Sequence, residues 1–153
     1  MSLQPSSHPA LSCADSMANA TSDFLLLVGR ICLAWIFIRS GWGKMFDIAA
    51  VGATFPPRGI PFWMAYIAVP AEFFGGLALL FGIATRYAAV VMAIFVIVAT
   101  LTSHRYWDFT EPNAFRAQQM NFYKNLSILG GILVLFVTGA GRLSIDNMLR
   151  RRV

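Results

Sequence analysis

The chain has 153 residues, 58% of them hydrophobic and 12% charged, with a mean hydropathy of +0.64. A soluble domain averages about 45–50% apolar and about 25% charged residues, so charge is too scarce to cover a globule of this length and the apolar surface must face lipid. The net charge of +5 comes from Lys and Arg near candidate span ends, where anionic headgroups attract it, and with no recognition module to carry it no nucleic-acid partner is expected.

In chain order, residues 1–22 are polar and hold no Lys or Arg. They lack the basic start of a secretory signal and read as a disordered tail. Ser22 or Asp23 can cap a first helix, and an apolar run follows over about 24–46. Pro56, Pro57, Gly59 and Pro61 then break any helix. A second span covers about 62–82, and after the tight connection Ile83-Ala84-Thr85-Arg86 a third, rich in Val, Ile and Ala, covers about 87–103. The stretch from His104 to Gln119 is polar and aromatic; within it Thr110 reads as the cap of a short interfacial helix that leads into a fourth span at about 121–138. Residues 147–153 form a basic tail. The expected fold is an all-α four-helix transmembrane bundle with short loops, occupying residues 23–146.

Four spans place both termini on one side and the 47–61 and 104–120 loops on the other. Trp42, Trp63 and Trp107 then mark the loop face, with Tyr66 and Tyr106 beside them, as an aromatic belt. Arg86, Arg142 and Arg150 to Arg152 on the terminal face balance Lys44, Arg58, Arg105, Arg116 and Lys124 on the loop face. The positive-inside rule therefore ties, and only the density of the Arg150-Arg151-Arg152 cluster favours a cytoplasmic C-terminus.

The informative residues are charges inside spans. Glu72 is at the middle of the second; Arg30 and Arg39 flank Trp35, the centre of the first, at offsets of about 7 and 6 Å. Intramembrane charges face a bundle interior and pair, so Glu72 is expected to meet Arg30 or Arg39. At 100° per residue the two arginines point to opposite faces, while Arg30 and Lys44 share one, so a single arginine is expected at Glu72. Pro70 removes a backbone hydrogen bond near Glu72, and Gly75 and Gly76 leave a bare strip one turn on. That strip suits either close helix packing or a flat ligand, and Glu72 either a structural ion pair or a proton-handling site.

On the loop face His104, Arg105, Asn121, Lys124 and Asn125 gather with Ser40 and Lys44, and His104, Lys44, Lys124 and Asn125 are candidate headgroup or ligand contacts. His8 is the other histidine, so the spans cannot supply two axial haem ligands, and no His, Cys and carboxylate cluster has metal-ligand spacing. Cys13 and Cys32, 19 apart, form no exchange pair. No cofactor bound by this chain alone is expected; an organic one, a quinone, is what these groups suit.

The stretch RICLAWIFIRSGWGKMFD resembles the first helix of the DoxX-like membrane protein family through Arg30, Gly41, Gly43 and Lys44. The second and third spans are similar to the family's signature through Glu72, Gly75, Gly76, Gly82, Thr85 and Arg86. Later segments resemble it through His104, Trp107, Lys124, Asn125, Gly130, Gly131, Gly139, Gly141, Arg142, Ser144 and Asp146. The resemblance covers about residues 24–146 and implies a four-helix bundle in a prokaryotic inner membrane, linked to quinol oxidase and other membrane oxidoreductase systems. The expected function is a small subunit or accessory protein of a quinone-linked redox complex, with other membrane subunits or a second copy as partners. A non-catalytic scaffold or assembly factor is the alternative, and a small carrier fits less well, since four short spans without an inverted repeat rarely enclose a path.

Overall fold

The computed structural model describes residues 9–151. Among them every regular element is helical: α1 (Pro9–Met45), α2 (Ile48–Ala53), α3 (Ala65–Phe81), α4 (Thr85–Ser103), α5 (Pro112–Thr138) and α6 (Ile145–Arg150), with short 3-10 turns at 56–58, 62–64 and 106–108. Ser12–Met45, Phe62–Phe81, Thr85–Asp108 and Pro112–Thr138 are each long and apolar enough to cross a membrane. The protein is an all-α four-helix transmembrane bundle.

Three boundaries differ from expectation. The tail expected to be disordered over 1–22 is helical from Pro9 onward, while residues 1–8 lie outside the described residues. Proline is tolerated in a helix's first turn, and neither Gly nor Pro occurs between residues 10 and 28, so nothing stops α1 from propagating outward from its membrane part. Its 37 residues span about 55 Å, against about 30 Å of hydrocarbon. At α5 the cap is Glu111, whose carboxylate accepts from the Asn113 and Ala114 N–H groups at 3.0 and 2.6 Å, rather than Thr110. Those two donors hold the Glu111 carboxyl below its ordinary pKa. The basic tail, expected to be separate, begins as the last turn of α6 at Asn147–Arg150.

The core lies where α1 packs on α3, α3 on α4 and α4 on α5. Ala34, Phe37, Leu79, Met92, Val96 and Ile132 are buried there. Ile94, Ile97, Leu133 and Val137 are exposed on outward faces, the arrangement of a bundle solvated by lipid. Small residues set the closest approaches. A Cβ at Gly41 would lie 2.8 Å from the Phe73 amide nitrogen, and one at Gly76 would lie 2.9 Å from Phe37 Cβ. Gly75 faces the Met92 sulfur so closely that a Cβ would collide with it. Of the two uses the sequence left open for the strip, close helix packing or a flat ligand, the fold shows the first: it is filled by α1 on one side and α4 on the other, because without water to drive helices together, backbone contact supplies the packing energy.

Candidate functional site

The Lys44 ammonium donates to Glu72 Oε2 at 2.7 Å. The carboxylate is nearly enclosed, with its side chain 7% exposed, while the Lys44 side chain is 39% exposed. The helix register explains the pairing: Gly41 abuts Phe73 across the α1–α3 crossing, and side chains lean toward their helix's N-terminus, so Lys44 reaches back one turn to the level of Glu72. Together the two charges form a neutral unit near the middle of α3, at much lower cost in hydrocarbon than either alone. Two of the three ammonium donors remain for another acceptor.

Neither arginine meets Glu72, contrary to the expected pairing. Arg39 is exposed on the outer face of α1 with Nη1 beside Gly43, one turn toward the loop side, so it snorkels along the lipid-facing surface. Arg30 is 1% exposed, but it lies at the other end of the bundle, against Gly82 at the C-terminal cap of α3. The expectation measured depth from the centre of the 24–46 apolar run. Packing on α3 instead sets Arg30 level with the end of that helix, at the terminal face.

There Arg30 secures the segment after α5. Nη1 donates to the Ala140 carbonyl and Nη2 to the Leu143 carbonyl, both at 2.7 Å. Asp146 completes the joint: its carboxylate accepts from the Ala84 N–H at 2.7 Å, the Thr85 N–H at 2.8 Å and the Thr85 hydroxyl at 2.7 Å. Its own N–H donates to the Gly82 carbonyl at 2.9 Å. These bonds hold the sharp α3–α4 connection, in which Gly82 has φ 66° and Ala84 the left-handed φ 44° that costs a residue with a Cβ about 1–2 kcal/mol. Burial raises the Asp146 pKa, but the Thr85 and Ala84 donors and the nearby Arg150 outweigh it and hold the carboxyl below the ordinary aspartate value. The Asp23 carboxylate accepts from the Arg142 N–H at 2.8 Å, so the start of the first span and the end of the fourth share a face.

The polar group expected on the loop face resolves into separate pairs. His104 Nδ1 donates to Gln118 Oε1 at 2.8 Å, Lys124 donates to Asn121 Oδ1 at 2.9 Å, and Asn125 donates to Thr100 Oγ1 at 3.0 Å. Among the described residues none of these side chains bonds to Lys44 or Glu72. The α4–α5 pairing absorbs Asn125, and Lys124 is exposed. Sequence reasoning gave no role of their own to Arg86 and Asp146. A Ser-x-Asp start at Ser144, two residues after Arg142, is the local signal of a capped helix that reaches another element.

Comparison with known proteins agrees with this architecture. The DoxX family model matches residues 25–105. The chain is 37% identical over 130 residues to the inner membrane protein YqjF of Escherichia coli, covering 85% of this chain and 95% of the relative. It is 36% identical over 136 residues to the inner membrane protein YphA of the same organism, covering 84% and 93%. A shorter match, 31% over 84 residues, covers 55% of this chain and 63% of the putative oxidoreductase CatD of Bacillus subtilis. No solved structure matches. With the family model matching more than half of the chain and two relatives aligned over nearly their whole length, this four-span membrane protein belongs to the DoxX family.

Proposed function

We propose that the protein is a small multi-pass inner-membrane accessory subunit of a quinone-linked redox complex, and that the Lys44–Glu72 pair is where a quinone headgroup is held. The carrying observation is the pair's asymmetry: an enclosed carboxylate bonded at 2.7 Å to a lysine that is 39% exposed. A quinone carbonyl needs a donor, which Lys44 retains, and its reduction consumes protons, which Glu72 can relay while a redox centre in a partner subunit supplies the electrons. The names of YqjF and YphA support the inner membrane, and that of CatD supports the redox association. Because Gly75 and Gly76 are packed against protein, the ligand approaches from the Lys44 side, past the exposed Gly43. The filled glycine strip is also what favours the second reading, a scaffold that binds a larger enzyme and no ligand.

Affinity isolation of the full chain from its native membranes, followed by quinone extraction and identification of bound subunits, separates the two. The first reading predicts about one quinone per chain together with a flavin-, haem- or iron-sulfur-bearing subunit, and loss of the quinone from Lys44→Met with the subunit retained. A bound oxidoreductase without quinone supports the scaffold. Absence of any redox subunit contradicts both.

A further inference from the structure

α1 and α5 touch where a Cβ on Gly131 would lie 2.9 Å from Leu33 Cδ2, and above that point they separate. The space between them is a groove of about 910 Å³ that runs from Leu33 up to Asn19 and Ser22, with Arg30 and Arg86 in its wall. A Cβ at Gly29 would meet nothing within 4 Å, so the backbone of α1 is bare toward this side. From Leu33 to Asp23 the groove rises about 15 Å along α1, from inside the bundle past the level of Arg30 at the terminal face. Its lower wall is apolar, with Leu33, Val134 and Leu135. Its upper end opens into a smaller polar recess of about 210 Å³ that shares Asp23, Arg86 and Thr138 with it and adds Arg142 and Arg150.

The charge there is unbalanced. Around the groove and recess, four arginines face two aspartates, Asp23 and Asp146. Both aspartates are committed to backbone N–H groups, Asp23 to Arg142 and Asp146 to Ala84 and Thr85. Asp23 also lies 3.7 Å from Arg142 Nε. Arg86 meets no carboxylate among the described residues; its one polar contact is Nη2 to the Val137 carbonyl at 3.4 Å. Arg30 is fully buried in the groove wall; among the described residues its hydrogen-bond partners are carbonyl oxygens, and its Nε has none. A buried cation at a membrane face, satisfied only by carbonyls and with a donor left over, attracts an anion.

We propose that this groove binds one anionic phospholipid of the leaflet on the terminal side, its phosphate at Arg86 and over Arg30 and its acyl chains along Leu33, Val134 and Leu135. The site is distinct from the Lys44–Glu72 pair and does not depend on the function proposed for it. A phospholipid matches both features at once: excess positive charge at the terminal face and an apolar wall below it.

The test is lipid retention by the full chain purified in mild detergent, read by native mass spectrometry after exposure to dioleoyl phosphatidylglycerol or dioleoyl phosphatidylcholine. The wild type should retain the anionic lipid at least about fivefold better, the effect of roughly one basic residue near an anionic headgroup. Arg86→Gln should remove that preference. Val134→Trp, at a position already 62% exposed, should fill the groove and lower retention of both lipids while leaving the melting temperature of the delipidated protein unchanged. Equal retention of the two lipids by the wild type, or an anionic preference that survives both variants, overturns the proposal. Stabilisation by inorganic phosphate equal to that by phosphatidylglycerol assigns the site to a free anion and overturns it as well.

Discussion

Lys44, not an arginine, is the counter-ion of Glu72, and the consequence can be measured as a pair energy. Removing one member of a buried pair leaves an uncompensated charge and costs about 3–5 kcal/mol, whereas replacing both with apolar residues is close to neutral. Because the Lys44 side chain is 39% exposed, Lys44→Met should fall at the lower end of that range, about 3 kcal/mol. Glu72→Leu alone should cost less, since the freed ammonium can swing outward, and Lys44→Met with Glu72→Leu should recover most of the loss. Arg39→Met, at an exposed position that bonds to no carboxylate among the described residues, should change stability by less than about 0.5 kcal/mol. Melting in detergent of this double-mutant cycle checks the assignment, and a large loss at Arg39 with none at Lys44 would restore the arginine pairing. The sequence showed that Glu72 needed a partner and that Arg30 and Lys44 lay on one face of the first span. It did not show which, because the level at which two helices cross depends on Gly41 meeting Phe73, a tertiary contact with no local signature.

At the scale of elements, the four spans were legible because apolar runs separated by Pro and Gly clusters have no other reading in a chain of this composition. The outward extension of α1 was not, since a polar stretch with good helix formers is helical only when a stable helix is there to continue. The joint on the terminal face was hidden for a different reason: it is made by single polar side chains that reach across 110 or more residues from Arg30, and 61 or 62 from Asp146. Two predictions belong here. Gly41→Leu should separate α1 from α3 and cost at least about 2 kcal/mol or abolish accumulation, whereas Gly130→Ala, where a Cβ meets nothing within 4 Å, should be neutral or gain up to about 1 kcal/mol. Equal effects at the two glycines would contradict the packing described. Asp146 has a folded pKa below its unfolded value of about 3.9, so its contribution is fully present above that value and is lost as pH falls through the folded pKa. Asp146→Asn should therefore lower the melting temperature at neutral pH and make melting less sensitive to acid below about pH 4 than in the wild type. Parallel acid profiles for the two proteins would remove Asp146 from the joint.

For the whole molecule, the bond between Asp23 and the Arg142 N–H puts the first span's start and the last span's end on one face. Reporter fusions at residue 153 and within the 47–61 loop should therefore report opposite sides of the membrane; the same side for both would break the four-span topology. The bundle keeps its two charged sites apart, Lys44–Glu72 in the packed α1–α3 crossing and Arg30 at the terminal face, which allows function at one to be changed without disturbing the joint at the other. The most direct test of the central claim is quinone-dependent turnover in native membranes carrying Glu72→Gln, a change that keeps shape and a hydrogen-bond acceptor for Lys44 but removes the carboxylate. The account predicts that this variant accumulates and assembles with its partner subunits at wild-type levels while turnover falls at least about 10²-fold, the usual contribution of a positioned proton carrier. Assembled Glu72→Gln complexes with full quinone-dependent turnover would contradict it and leave the pair a structural role alone.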